Sequence, residues 1–181
     1  SLVGIEVPNP RPSVVTLRSV IETEVFHALS SKSKLALGLG MGTGGEVAVA
    51  DLARMPHLLI AGSTSSGKSV CINSVITSII MHNSPWDTRM LLIDPKRVEL
   101  TQYNGIPHLV APVVVEVEVA VQMLKGMIQE MLRRYRAFED AGARNIEGYN
   151  HGRPLEGKMP MVVVAIDELA DLMMSAPYDI E

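Results

Sequence analysis

The chain has 181 residues, of which 47% are hydrophobic and 20% charged, a balance typical of one soluble globular domain with a piece of a neighbouring module. Its net charge of −4 lacks the excess of basic residues expected of a domain that binds nucleic acid by itself. Its single cysteine excludes an internal disulfide framework and suits a reducing cytoplasm. The longest uncharged stretch, residues 69–86, contains several polar side chains, so we predict a buried helix there and no membrane span.

The first elements in chain order are a short strand and a helix. The strand is predicted at residues 2–7. The proline-rich residues 8–12 that follow can form neither a helix nor a central strand. We interpret this start as the end of a preceding module and a linker. Thr16 is then predicted to cap a helix that runs through Ala28 with its apolar side chains along one side.

A β-hairpin is predicted next. Residues 35–39 and 46–49 have strand character and are joined by the glycine-rich residues 40–45. So many glycines also suggest a second phosphate-binding loop, but no helix follows them. The hairpin turn is therefore the favoured interpretation.

Residues 62–69 read Gly-Ser-Thr-Ser-Ser-Gly-Lys-Ser, after a predicted buried strand at residues 57–61 and before a predicted helix that runs to about Asn83. This is the pattern of a phosphate-binding loop, in which backbone N–H groups surround a polyphosphate at the start of a helix. Lys68 would reach the β and γ phosphates, and Ser69 would offer its hydroxyl to Mg²⁺. The predicted nucleotide-binding residues are Gly62, Ser63, Thr64, Ser65, Ser66, Gly67, Lys68, Ser69 and Val70.

Further along the chain, apolar runs typical of buried strands alternate with a stretch in which the apolar residues have helical spacing. Residues 90–94 predict a second buried strand, and helical spacing extends from about Val117 to Gly142. A loop rich in glycine and proline at residues 148–159 leads to the fully apolar run at residues 161–166. Strands that alternate with helices predict an α/β fold with a mostly parallel sheet flanked by helices.

Two carboxylates, Asp167 and Glu168, follow the last apolar run, which resembles a Walker B strand. Ligands of such sheets bind at the carboxyl ends of the strands. Asp167 would hold the water shell of Mg²⁺ beside Ser69, and Glu168 would orient and deprotonate an attacking water, so Lys68 and Glu168 are the predicted catalytic residues. The alternative is a core strand followed by a helix whose first turn favours acidic residues.

Basic residues give weaker indications. Arg133, Arg134 and Arg136 could contact DNA or serve as an arginine finger, but a solvated helix face is the favoured interpretation. Lys96 and Arg97 follow a buried strand and are candidates for a subunit interface or a phosphate contact.

Several segments together resemble the FtsK/SpoIIIE DNA translocases. They cover nearly the whole chain and are residues 3–9, 55–62, 93–96, 98–100, 105–109, 144–150 and 166–174. The resemblance implies a RecA-like P-loop NTPase core, with residues 1–15 as the end of an α subdomain and linker and residues 16–181 as the N-terminal part of the β subdomain. It also implies ATP and Mg²⁺ as cofactors.

The activity implied by the resemblance is ATP-driven movement along double-stranded DNA by a homohexameric ring. Such a motor fits a mildly acidic chain, because a few basic side chains from each subunit meet in its central channel. The resemblance further implies a cytoplasmic motor domain in a membrane-anchored protein, partnered with the division or sporulation machinery. The alternatives are a related secretion or conjugation ATPase that moves protein, and a nucleotide-binding scaffold without turnover; a small-molecule kinase is disfavoured because Glu168 directly follows Asp167.

This chain differs from the family pattern at two places. Ser65 stands where the family usually has glycine, which would cost about 1 kcal/mol if its φ angle is positive. The chain also stops at Glu181, before the family's polar sensor strand, further subunit contacts and DNA-facing loops. We therefore expect an ATPase core that is incomplete at its C-terminus and is not a competent motor by itself.

Overall fold

The computed structural model describes residues 13–63 and 65–176, so the predicted strand at residues 2–7 and the linker at residues 8–12 lie outside the described residues. In chain order the helices and strands are α1 (Leu17–Ile21), α2 (Glu24–Ser30), β1 (Ala36–Met41), β2 (Val47–Asp51), α3 (Lys68–His82), β3 (Thr88–Ile93), α4 (Val117–Asp140), α5 (Ile146–Asn150), β4 (Met161–Ile166) and α6 (Leu169–Ser175).

The centre of the fold is a parallel pair of strands. The register pairs Thr88 of β3 with Met161 of β4 at one end and Ile93 with Ile166 at the other. On the opposite edge of β3, residues 108–114 run alongside in parallel, with two β-bridges and four backbone hydrogen bonds to β3 and the residue after it. The sequence did not predict this third, irregular strand segment. The α/β fold with parallel strands is confirmed.

Both faces of the pair pack against hydrophobic clusters, which is why β4 is apolar along its whole length and β3 is apolar from Met90 onward. On one face, Met90 and Leu92 pack with α3 and β1 around Ile76. On the other face, Leu91 and Ile93 pack with the start of α4 and with α6. Successive strand residues therefore point alternately toward α3 and toward α4, and this alternation decides which face carries the site residues.

The predicted hairpin is confirmed as β1 and β2, which pair antiparallel. It is attached to α3 through Ser78, a fully buried residue whose Oγ accepts the N–H of Gly38 at 3.1 Å and donates to the Ser74 carbonyl at 2.7 Å. The glycine-rich residues 42–45 form its turn, so the interpretation as a second phosphate-binding loop is set aside.

The predicted helix from Thr16 through Ala28 is wrong in one respect, because it is divided into α1 and α2. Thr16 does cap α1, accepting the N–H of Ser19 at 3.1 Å. Thr23 interrupts the helix because its hydroxyl donates to the Val20 carbonyl at 2.7 Å and accepts the N–H of Phe26 at 3.3 Å. A threonine that satisfies these backbone groups starts a new helix.

The predicted loop at residues 148–159 also contains structure that the sequence analysis missed. The helix α5 overlaps its start, and the side chain of Asn145 caps this helix by accepting the N–H of Gly148 at 2.8 Å. The short length of α5 explains why no apolar periodicity revealed it.

The predicted strand at residues 57–61 is not a strand in the structure. This segment leads directly into the phosphate-binding loop, but it makes no sheet hydrogen bonds among the described residues. The strand nearest to this segment is β4. The edge of β4 that faces away from β3 has no paired strand in the described part of the chain. A cavity separates the two, so pairing fails although the segment is apolar.

The longest described helix, α4, carries an ion cluster on its C-terminal half. Glu130 accepts hydrogen bonds from Arg133 at 2.6 Å and from Arg134 at 2.8 Å, and Arg134 also donates to the Pro160 carbonyl at 2.7 Å. Arg133 and Arg136 are exposed, as expected for a solvated face, but Arg134 is largely buried and ties α4 to the residue before β4. None of the described helices combines the length and apolar character that a membrane span requires.

We predict that this cluster makes stability depend on pH in the acid range. The hydrogen bonds from Arg133 and then Arg134 lower the pKa of Glu130 from 4.5 to about 2 against the opposing effect of burial. A depressed folded-state pKa stabilises the protein above pH 4.5, and this stabilisation is lost as the pH falls toward 2. After discounting for solvent exposure, we expect a loss of about 1 kcal/mol that is absent in Glu130→Gln.

Urea unfolding at pH 5 and pH 3 measures this effect as a difference between the wild-type chain and Glu130→Gln. The comparison isolates Glu130 because the other carboxylates titrate in both proteins. Parallel pH dependence in the two proteins would contradict the assignment.

Candidate functional site

The loop at residues 62–69 turns the chain from the extended segment 57–61 into α3. Gly67 is the residue before α3 and has φ +94°, a left-handed conformation that glycine adopts without strain. At Gly62 an added Cβ would lie 2.1 Å from Ser66 Oγ and 3.1 Å from Ser66 Cβ, so a side chain there would displace the Ser66 hydroxyl. The N–H of Ser66 donates to the Ser63 carbonyl at 3.0 Å, which closes the turn, and Thr64 lies outside the described residues.

The N-terminus of α3 has no side-chain cap, because Gly67 offers none. The first N–H groups of a helix have no partner within the helix, and they carry the positive end of its dipole. In a 15-residue helix that begins directly after a glycine-rich loop, these groups form an anion-binding surface. This geometry supports the phosphate-binding loop, which stays a prediction.

Ser65 has φ +65°, so the strained backbone anticipated at this position is present. Among the described residues the other non-glycine positions with positive φ are Arg97 and Glu168, and both lie in segments that border the same site. Strained backbone of this kind collects at functional sites, where the surrounding structure holds it in place.

We predict that Ser65→Gly strengthens nucleotide binding by up to about fivefold, because glycine removes about 1 kcal/mol of strain from the loop. Calorimetric titration of the two chains with ATPγS measures the change. Ser33→Gly is the control for a serine replaced outside the loop. Weaker binding by Ser65→Gly would show that the Ser65 side chain contributes more than its strained backbone costs.

Lys68 connects the phosphate-binding loop with the two carboxylates that follow β4. Its Nζ lies 3.0 Å from Asp167 Oδ1 and 3.2 Å from Glu168 Oε2, so residues about 100 positions apart in the sequence meet between α3 and the end of β4. The hydrogen bond to Asp167 is the largest cause that raises the pKa of Lys68, and the hydrogen bond from Lys68 is the largest cause that lowers the pKa of Glu168. Both shifts favour the charged forms of Lys68 and Glu168.

Glu168 is held in a left-handed conformation, with φ 57° and ψ 64°, at the start of α6. A second lysine, Lys96, lies 3.5 Å from Glu168 Oε2 and 3.3 Å from Asp171 Oδ2. The hydrogen bond to Asp171 is the largest cause that raises the pKa of Lys96. Lys96, which was predicted to contact a neighbouring subunit or a phosphate, therefore pairs with the predicted catalytic carboxylate of Glu168. Arg97 pairs with Glu116.

The hydroxyl of Ser69 contacts Glu99, a residue for which the sequence predicted no role. Its Oγ donates to Glu99 Oε1 at 2.6 Å, whereas Asp167, the expected neighbour of Ser69, bonds to Lys68. Glu99 follows β3 by six residues, at the carboxyl edge of the sheet where ligands bind. That position, together with the segment at residues 98–100 that resembles the family, is the signal in the sequence that could have identified it.

A cavity of about 1130 Å³ collects most of the predicted site residues. It is larger than a typical small-molecule site of roughly 300–1,000 Å³ because it extends between residues 57–61 and β4. Ser66 and Asp167 do not line it, although Asp167 contacts Lys68 behind its wall. The predicted site residues on its surface are Gly62, Ser63, Ser65, Gly67, Lys68, Ser69, Val70 and Glu168.

These residues fit a nucleoside triphosphate with Mg²⁺. The uncapped helix start and Lys68 suit the phosphates, and hydroxyl and carboxylate oxygens are the ligands that Mg²⁺ prefers. In the described part of the chain no group of three or more His, Cys, Asp or Glu residues is arranged to hold a metal ion. Mg²⁺ sites of nucleotide-binding proteins commonly use one or two protein oxygens together with substrate phosphates and water.

Two solved structures share this fold. The pCW3 conjugation coupling protein TcpA, in its monomer form with ATPγS, superposes with a TM-score of 0.64 and 26% identity, over 80% of this chain and 39% of that one. The cytoplasmic domain of the type VII secretion ATPase EccC of Thermomonospora curvata has a TM-score of 0.66 over 81% of this chain and 19% of that one. At 23% identity, the EccC likeness shows the fold alone.

Relatives are also found by sequence. DNA translocase FtsK of Caldanaerobacter subterraneus subsp. tengcongensis is 52% identical over 181 residues, and DNA translocase SpoIIIE of Bacillus subtilis is 50% identical over 189 residues. Both match the whole of this chain, which spans about a quarter of their length. The model of the FtsK/SpoIIIE family matches residues 16–181. This chain therefore belongs to the FtsK/SpoIIIE family.

Proposed function

We propose that this chain is part of an ATP-dependent motor that moves double-stranded DNA and that ATP is hydrolysed at the site around Lys68. The observation that carries the proposal is the meeting of Lys68 with Asp167 and Glu168 beside an uncapped helix start. The relatives named DNA translocase support DNA as the substrate, and the TcpA structure with ATPγS supports a nucleotide at this fold.

In this proposal the loop residues 62–70 bind the phosphates through backbone N–H groups and the Lys68 ammonium. Lys68 exchanges its carboxylate partners for phosphate oxygens, so neither state leaves its charge without a partner. Ser69 and Asp167 would hold Mg²⁺, which would offset the charge of the phosphates. The release of Lys68 also removes the main cause of the low Glu168 pKa and makes that carboxylate a stronger base.

Glu168 then accepts a proton from the attacking water. Its left-handed backbone and its contact with Lys96 fix the carboxylate on the cavity wall, at the carboxyl end of β4. A base held in this way contributes to the rate through position as well as through proton transfer.

The larger assembly is also proposed and rests on family membership. We propose a homohexameric ring around DNA, in a protein anchored in the cell membrane with this domain on the cytoplasmic side, that works with the division or sporulation machinery in chromosome partitioning. Residues 1–15 would close a preceding α subdomain, and residues 16–181 would begin the RecA-like β subdomain.

ATP hydrolysis by the full-length protein with and without linear double-stranded DNA tests this function. We expect DNA to stimulate hydrolysis strongly and Lys68→Ala to abolish both the basal and the stimulated rate. Hydrolysis that is unaffected by DNA would overturn the proposal. Stimulation by an unfolded protein substrate instead of DNA would favour a secretion or conjugation ATPase.

A further inference from the structure

The side chain of Glu99 forms a hydrogen bond with Ser69, a predicted Mg²⁺ ligand. Its Oε1 accepts a hydrogen bond from Ser69 Oγ at an oxygen–oxygen distance of 2.6 Å. The residue is half-buried and lines the same cavity as Lys68 and Glu168. The contact crosses 30 positions in the sequence and is therefore a product of the tertiary fold.

The backbone at Glu99 is rigidly held by Asp94, which follows β3 and is fully buried. Oδ2 of Asp94 accepts the N–H of Glu99 at 3.0 Å and the N–H of Leu100 at 2.9 Å. Leu100 is itself fully buried in the core beside α3. A carboxylate that bonds to two successive N–H groups fixes the peptide, so the position of Glu99 is set by the sheet.

The first two turns of α3 are attached to the same segment. The amide oxygen of Asn73 accepts hydrogen bonds from Tyr103 Oη at 2.6 Å and from Gln102 Nε2 at 3.0 Å, and the Asn73 amide group donates to the Ser69 carbonyl at 2.9 Å. Gln102 also donates to the Glu99 carbonyl at 2.9 Å. Asn73 therefore holds the backbone of Ser69, Gln102 holds the backbone of Glu99, and the hydrogen bond between Asn73 and Gln102 keeps the two residues close together.

This arrangement suits a hydroxyl that must bind a cation. A serine hydroxyl has one proton and two acceptor lone pairs, and donating the proton to Glu99 leaves the lone pairs free for another partner. In the described part of the chain, no ion pair involves the Glu99 carboxylate. Its negative charge would therefore be offset by a divalent cation held at Ser69.

We propose that Glu99 is a positioning residue of the Mg²⁺ site, which orients the Ser69 hydroxyl and supplies a negative charge behind it. This assignment rests on the proposed function, because it requires a nucleoside triphosphate bound with Mg²⁺. Partners that hydrogen-bond a metal ligand from behind orient the ligand and raise its basicity. Asp167, which sequence patterns assign to this neighbourhood, bonds to Lys68 instead.

Binding of ATPγS to the full chain tests the assignment, measured by calorimetry in EDTA and across a titration of Mg²⁺. The variant is Glu99→Gln, which keeps the shape of the side chain and removes its charge. Glu139→Gln, on the exposed end of α4, is the matched control. We expect Glu99→Gln to weaken the apparent affinity for Mg²⁺ by about 10-fold or more, with the ATPγS affinity in EDTA unchanged.

A double-mutant cycle with Ser69→Ala separates orientation of the hydroxyl from a general structural role. Because orientation acts through the hydroxyl, Glu99→Gln has a smaller effect on Mg²⁺ affinity in the Ser69→Ala background, where only the charge of Glu99 still contributes. A full effect in that background, an equal loss of affinity in EDTA, or an unchanged Mg²⁺ affinity in the single variant would each overturn the assignment. In all three of those results the wild-type chain still binds Mg²⁺ and ATPγS, so the proposed function stands, whereas a wild-type chain that does not bind ATPγS overturns both.

Discussion

Replacing Glu168 by glutamine is expected to lower the rate of ATP hydrolysis by the full-length protein by a factor of about 10²–10⁴, the range that a positioned general base contributes. Glutamine keeps the size of the side chain and can still accept a hydrogen bond from Lys68, but it cannot take a proton from water. The bond from Lys68 to Asp167 is independent of this change, so nucleotide binding should persist.

The measurement is single-turnover hydrolysis in the presence of DNA, together with an equilibrium titration with ATPγS. Glu139→Gln again serves as the matched control, because Glu139 is exposed and remote from the cavity. Equal hydrolysis rates for Glu168→Gln and the wild type would remove Glu168 from catalysis. Absence of hydrolysis in both proteins would favour a nucleotide-binding scaffold without turnover.

Replacing Lys68 by alanine is expected to weaken binding of ATPγS by about 2–5 kcal/mol, which is about 30- to 5,000-fold in the dissociation constant. The same change should also lower the free energy of unfolding, because Asp167 is 3% exposed and loses its cationic partner. Breaking a buried pair costs more than a surface pair, and with Lys68 one quarter exposed we expect about 1–3 kcal/mol.

A second substitution separates the two effects of Lys68→Ala. In the double variant Lys68→Ala with Asp167→Asn, the buried carboxylate becomes a neutral amide, so most of the lost stability should return. Nucleotide binding should not return, because the ammonium is still missing. Wild-type affinity in either variant would contradict the role of Lys68, and unchanged stability in the single variant would contradict the burial argument.

The sequence predicts best the strands whose apolar residues contribute to the hydrophobic core. The apolar runs that became β3 and β4 lie between two layers of helices, so their composition alone identifies them. The start of α3 is equally predictable, because the glycines and the lysine of the loop are demanded by local geometry. The rule that ligands bind at the carboxyl ends of parallel strands predicted that Asp167 and Glu168 lie beside the loop, but it did not predict that Asp167 bonds to Lys68 and not to Ser69.

Predictions failed where structure depends on a distant partner. Residues 57–61 have the composition of a strand, but pairing requires a neighbour within reach, and the described residues supply none. Glu99 was missed because its importance arises from a contact with Ser69 that no local pattern encodes. Arg134 was assigned to a solvated face because helical periodicity does not show the Pro160 carbonyl that it reaches.

The register of β3 and β4 limits how this part of the gene can change in length. Ile93 and Ile166 are the last paired residues, and the N–H of Asp167 donates to the Ile93 carbonyl at 2.9 Å. By the alternation along the strands, Asp94 and Asp167 share the α3 face with Met90 and Val163. A deletion of one codon within β4 would turn the Asp167 carboxylate toward α4 and away from Lys68, whatever its effect on packing. Natural length variation is therefore expected in the connection at residues 142–160, and the spacing from Met161 to Asp167 is expected to stay fixed.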